Sequence, residues 1–281
     1  MTSKILQWVK LTLLVLLLVV VLVFAYNFIG HQSLFGWNLF NVQNNFGEGE
    51  LILTESFDAD VEKIDVNMLF EAVSIEEYNG DKIEVEYYST IDDSAYYPKF
   101  VTNGDTFSAT QAKRVTMGIL SNGKIIIRVP QDKLYDYDIS STSGSVKLYA
   151  AANDIKCKST SGSVKVMLGG QNAIVSSTSG SVHVYGAFKT LDASSTSGSV
   201  RAVADENTTS IKATSTSGSV KIEIDGNVGY TATCSTTSGS IRDEYQGTKY
   251  DKNTSFKVGN GAMKIEASTV SGSVRLEDWA D

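Results

Sequence analysis

One six-residue phrase recurs seven times in the second half of this chain, and its spacing limits the fold more than any other feature. STSGSV stands at Ser141–Val146, Ser159–Val164, Ser177–Val182, Ser195–Val200 and Ser215–Val220, followed by TTSGSI at Thr236–Ile241 and TVSGSV at Thr269–Val274. The central glycines are Gly144, Gly162, Gly180, Gly198, Gly218, Gly239 and Gly272, at steps of 18, 18, 18, 20, 21 and 33 residues. A period of about twenty residues marks a unit stacked on copies of itself, each burying its neighbour's apolar face.

Alignment on the glycines gives columns that report burial. Two residues after the glycine stand Val146, Val164, Val182, Val200, Val220, Ile241 and Val274; four after it, Leu148, Val166, Val184, Ala202, Ile222, Asp243 and Leu276. Five before it stand Ile139, Cys157, Val175, Ala193, Ala213, Cys234 and Ala267, and seven before, Tyr137, Ile155, Ala173, Leu191, Ile211, Ala232 and Ile265. Apolar columns of period two on each side of the glycine predict two short strands with one buried face each. The glycine between them reads as a corner, a bend that other residues tolerate poorly. These columns do not follow the six-residue beat of a left-handed hexapeptide helix. The expected fold is therefore all-β: a right-handed parallel β-solenoid whose seven rungs, about 4.8 Å apart, make a rod about 30 Å long. Cys157 and Cys234 share a column four rungs apart in sequence order. That is roughly 19 Å, too far for a disulfide, so both are expected as core residues.

The amino terminus is a separate problem. Residues 11–30 run LTLLVLLLVVVLVFAYNFIG without a charge, long enough for a transmembrane anchor, and Lys4 and Lys10 precede them. This predicts a cytoplasmic segment 1–10, a single-pass anchor at 11–30, a juxtamembrane linker at 31–47, and an extracytoplasmic remainder. The alternative is a signal peptide cleaved near Ala25, leaving a secreted protein. Residues 48–130 contain the β-rich runs Leu51–Leu53, Ile64–Val66, Ala72–Ile75, Ile83–Tyr88 and Lys124–Val129, with Asn79-Gly80, Asn103-Gly104 and Asn122-Gly123 as turns. They are expected to form an irregular β cap on the 131–281 solenoid, with Trp279 capping the far end. Residues 48–130 carry 16 acids against 7 bases and 131–281 carry 16 against 15, which argues against nucleic acid as a partner.

Strand runs, then IIIRVP at Ile125–Pro130, then serial SxSGxV units resemble the bacterial β-strand-repeat family called "putative adhesins". That family includes the LiaG-like membrane proteins of Gram-positive envelope-stress loci. The resemblance spans roughly residues 50–281. It implies a membrane-anchored envelope protein, and it carries no functional residues over.

No catalytic constellation is legible. His31 and His183 share no partner motif, and there is no GxSxG elbow, P-loop, dinucleotide fingerprint, CxxC or calcium repeat. A non-enzymatic scaffold or adhesin-like protein without cofactor or metal is the expectation; the alternative is a module that binds an envelope polyanion or senses envelope stress, with envelope proteins as further candidate partners. One column could hold a ligand. Three after the glycine stand Lys147, Lys165, His183, Arg201, Lys221, Arg242 and Arg275, facing outward beside a serine column. A row of cations at rung spacing suits an envelope polyanion, either an anionic cell-wall polymer or lipid headgroups. The competing reading is a solvated strand face whose charges pair with Glu223, Glu244 and Glu277; Lys147, Lys165 and Arg201 lack such neighbours in their own rungs. Thr142, Thr160, Thr178, Thr196, Thr216 and Thr237 form a further outward column. It lacks the double threonine row of an ice-binding face and is expected to bond between rungs.

Overall fold

Each repeat supplies one strand to each of two sheets, because alternation on both sides of the glycine leaves one apolar face per strand and the corner folds the two faces together. The computed structural model describes residues 49–111, 123–225, 228–244 and 246–279. Segments 1–10 and 31–47, the apolar run 11–30 and the cleavage site near Ala25 lie outside them. Among the described residues no helix is long and apolar enough to cross a membrane.

The chain enters through β1 (Glu50–Asp58), β2 (Lys63–Met68), β3 (Ala72–Tyr78), β4 (Lys82–Ser89), β5 (Pro98–Asn103), β6 (Thr106–Gln111) and β7 (Gly123–Pro130). Five regular rungs follow: β8 (Tyr135–Ser141) with β9 (Val146–Tyr149), β10 (Ala152–Ser159) with β11 (Val164–Val166), β12 (Gly170–Ser177) with β13 (Val182–Val184), β14 (Phe188–Ser195) with β15 (Val200–Ala204), and β16 (Ser210–Ser215) with β17 (Val220–Ile224). The chain ends with β18 (Tyr230–Thr236), β19 (Ile241–Asp243), β20 (Thr248–Tyr250), β21 (Asn253–Val258), β22 (Met263–Thr269) and β23 (Val274–Asp278). One sheet has twelve strands in the order β1-β4-β7-β3-β9-β11-β13-β15-β17-β23-β19-β20; the other has eleven, β21-β18-β22-β16-β14-β12-β10-β8-β2-β6-β5. At about 4.8 Å per strand the stack is roughly 50 Å long.

Register is the one the columns predict. Ile155 lies opposite Tyr137 and Ala173, and Val164 opposite Val146 and Val182, all parallel. The four apolar columns form the core, with Val146, Val164, Val182 and Val220 fully buried. The described residues of the 48–130 region continue the same sheets. β2 and β3 form a rung of their own, parallel to β8 and β9. Outside it β6 and β7 add parallel strands, and β5, β4 and β1 close that end antiparallel.

Rung order departs from sequence order. β22 lies between β16 and β18, and β23 between β17 and β19, so the last repeat is inserted between the fifth and the sixth. The long final spacing makes room for β20 and β21, which pair antiparallel with β19 and β18 and close the outer edge. Tyr250 stacks on Phe256 at 4.5 Å there. This hairpin chemistry provides the cap, whereas Trp279 is 52% exposed. The reordering puts Cys157 and Cys234 five rungs apart, about 24 Å rather than 19 Å. Both are free and buried, and burial raises the Cys234 thiol to about 12.

The corner glycines have a different cause from the one expected. Positive φ occurs only at Gly104, Gly247, Gly259 and Gly261 among the described residues, so the repeat glycines are not bends of the left-handed kind. Space is the constraint: a Cβ on Gly180 would lie 2.6 Å from Ser163 N and closer still to the Gly162 carbonyl. Beside each glycine, the first residue of the phrase ties two rungs together. Ser177 Oγ donates to the Gly162 carbonyl at 2.8 Å and accepts from Gly180 N–H at 2.9 Å. Ser159, Ser195 and Ser215 do the same. Thr236 and Thr269 donate likewise, to Gly272 and Gly218. Ser177→Ala leaves a buried N–H and a buried carbonyl unpaired, so a loss of about 2 kcal/mol or more is expected. Ser177→Thr, which keeps the hydroxyl, should melt close to the parent in the same thermal scan.

Behind the first corner stands Glu71, at the position a glycine holds in later rungs and fully buried. Gln111 Nε2 donates to its Oε1 at 2.6 Å and Phe70 N–H to its Oε2 at 3.3 Å. Burial raises its pKa against these bonds. The outward threonines and the serines that follow them are exposed, and among the described residues no side-chain bond joins threonine to threonine along the row. Backbone bonds such as Thr160 N–H to the Ser141 carbonyl and Ser161 N–H to the Thr142 carbonyl carry the ladder round the corner instead.

Candidate functional site

Strict parallel register turns the basic column into a physical row on the outer face of the twelve-stranded sheet. Lys147, Lys165, His183, Arg201, Lys221, Arg275 and Arg242 follow one another, the last two in that order because of the inserted rung. All seven predicted residues are brought together, and the row divides into two halves of different chemistry.

In the half nearer the carboxy-terminal cap, carboxylates from the next outward column fill the gaps. Arg201 Nη2 donates to Glu223 Oε2 at 2.7 Å, and Lys221 Nζ lies 2.9 Å from Glu223 Oε1 and in contact with Glu277. Arg275 reaches Glu277 at 3.2 Å and Glu244 at 3.5 Å. Arg201, Lys221 and Arg275 therefore each bond a carboxylate of the neighbouring rung, and the three form one zipper. The Glu223 side chain is 5% exposed. Burial alone would raise its pKa, but the hydrogen bonds from Arg201 and Lys221 outweigh it and hold the carboxyl below its usual range. Arg201, expected to lack compensation, is paired across the rung step. Arg242 faces Lys249 across the β19–β20 pair.

In the other half the outward column supplies Tyr149, Met167 and Tyr185. Among the described residues no carboxylate lies within ion-pair reach of Lys147, Lys165 or His183. Lys165 Nζ stands 5.2 Å from the centre of the Tyr185 ring and 5.9 Å from that of Tyr149, and the Arg201 guanidinium lies 4.9 Å from Tyr185 on the following rung. Tyrosine rings thus separate the cations and hold them by their π faces without neutralising them. The spacers were visible in the aligned sequence; their role as props needed the geometry.

His183 sits between Lys165 and Arg201 in register, with Tyr185 beside it on its own strand. Desolvation, then Arg201 and Lys165, lower its pKa below the ordinary 6.5. Because the folded value is depressed, the associated stability is present above 6.5 and declines as pH falls towards the folded value. An NMR titration should give a midpoint below 6.5, moving part of the way back in Lys165→Gln, since burial is the larger cause.

No group of three or more histidines, cysteines or carboxylates among the described residues is placed to hold a metal ion. No curated protein matches the sequence. Among solved structures, a "putative adhesin" from Bacteroides fragilis NCTC 9343 is similar at 15% identity, covering 80% of this chain and 96% of that one, with a TM-score of 0.46. A "putative adhesin" from Parabacteroides distasonis ATCC 8503 is 12% identical over 81% and 97%, with a TM-score of 0.38. A "putative cell adhesion protein" from Clostridium sporogenes ATCC 15579 is 10% identical over 80% and 98%, also at 0.38. The model of the Toastrack DUF4097 family matches twice in succession, at residues 61–186 and 167–277, across both the entry strands and the repeats. The chain belongs to the Toastrack DUF4097 family.

Proposed function

We propose that this protein is a non-enzymatic, adhesin-like scaffold of the bacterial cell envelope, anchored by residues 11–30 with its β domain outside the membrane. The observation that carries the reading is the continuity of the stack. Strands from Glu50 to Asp278 build two unbroken sheets whose inward side chains are committed to one core. Such a rod holds its outer faces at fixed spacing, which suits presentation of a surface. The charge-free run behind Lys4 and Lys10 supports the anchored topology.

Protease treatment of intact Gram-positive cells expressing the full chain, followed by membrane fractionation, tests this. The expected result is a membrane-bound protein whose β domain is cut from outside. Protection in intact cells, with digestion only after lysis, would reject export. A soluble product in the medium beginning just after Ala25 would replace the anchor by a cleaved signal.

A further inference from the structure

The two halves of the basic row differ in a way that points to a ligand. Stacked cations about 4.8 Å apart repel one another, and the zipper of Glu223, Glu277 and Glu244 shows how this fold removes that cost where the row is only structural. At Lys147, Lys165 and His183 the same outward column supplies Tyr149, Met167 and Tyr185 instead. The lysine charges stay unneutralised, and the π faces fix the position of Lys165. Beside them runs a second row, Ser145, Ser163 and Ser181, at least partly exposed. We propose that the strip Lys147–Lys165–His183, bounded by Arg201, binds a linear anionic glycopolymer. Its successive acidic groups lie along the cation row and its hydroxyls meet the serine row.

The shape of the charge selects a chain over a bilayer. The strip is one residue wide and about 14 Å long from Lys147 to Arg201. Beyond both ends the charge is cancelled: Glu86 pairs with Arg128 and Glu223 with Arg201, and Glu76 lies opposite Tyr149 on the preceding rung. A flat anionic membrane would meet only this short single row of free cations, whereas a polymer lying along the row sets its successive charges on each of them. The strip is also open, so its affinity comes from several weak contacts repeated along the chain.

The test uses the full-length chain in neutral detergent, immobilised by its carboxy terminus. The probes are polygalacturonate, poly(glycerol phosphate), monomeric galacturonate, dextran, and bicelles with and without phosphatidylglycerol. The expected result is salt-sensitive retention of at least one anionic polymer, with monomer and dextran passing unretained. Lys147→Gln/Lys165→Gln should weaken polymer binding at least tenfold while its thermal melt matches the parent's. Lys212→Gln/Lys264→Gln, on the opposite face, should leave binding unchanged. No polymer retention at low salt, or equal loss in both double variants, overturns the proposal. Retention of phosphatidylglycerol bicelles above that of either polymer, lost in Lys147→Gln/Lys165→Gln, would assign the strip to a membrane surface. Neither outcome bears on where the protein resides in the cell, so the scaffold reading stands or falls separately.

Discussion

Gly180→Ala is expected to cost about 3 kcal/mol or more, lowering the melting temperature by roughly 10 °C, because one methyl group must enter where two backbones meet. The added carbon would stand 2.6 Å from Ser163 N and inside contact distance of the Gly162 carbonyl. Neither neighbour is the end of a flexible side chain, so relief requires the rungs to part. Parting stretches the bonds closing that step, among them Ser177 Oγ to the Gly162 carbonyl and Val164 N–H to the Ser181 carbonyl at 2.9 Å. The informative control is Gly104→Ala, at φ +55° with open space around it. There the only cost is left-handed backbone, about 1 kcal/mol. Equal losses in the two variants, measured by calorimetry, would mean that backbone conformation governs both sites and that inter-rung contact is not the constraint.

A chain ending at Ala262 is the second case. Removing β22 and β23 leaves β16 and β17 with open parallel edges and takes away the neighbours of β18 and β19. The closing hairpin strands β20 and β21 would then be attached to nothing but their own rung. Open edges recruit other chains, so light scattering should show soluble oligomers, with a broadened melt and early loss of the cap. The competing outcome is specific. Because Thr236 offers the same corner donor as Thr269, β18 can restack directly on β16, and a sharp monomeric melt within a few degrees of the parent would show that it does.

That ambiguity also explains how far the sequence could be read. The columns through Val164, Ile155 and Gly162 fix strands, buried faces and parallel register, since alternation and a fixed period are local signals. Order is not local. A repeat beginning at Thr269 has the same hydroxyl and glycine to offer as one beginning at Thr236, and a β-branched residue in the same place, Val274 for Ile241, so nothing in the phrase says which docks first. Pairing across rungs was hidden for a related reason. Glu223 stands two residues from Lys221 in sequence, yet it also takes the Arg201 guanidinium from the rung before. The glycine column was visible, whereas its cause was not, because the carbonyl that excludes a side chain belongs to another repeat. The basic row and its uneven compensation were legible residue by residue, but Arg201 was counted with the uncompensated residues, because the Glu223 that pairs it belongs to the next rung.

The corner lock between Ser177, Gly162 and Gly180 joins each rung to its immediate neighbour and to nothing further away. Length along the axis is accordingly a quantity that can change in whole steps without disturbing either closed end. Gain or loss of one 18-residue unit within the Gly144–Gly198 run would move the two ends apart or together by about 4.8 Å. Nearly identical tandem phrases are also the kind of sequence in which misaligned recombination makes such changes. The fold thus provides a ruler whose reach can be reset by inheritance in discrete increments while its end pieces are left untouched.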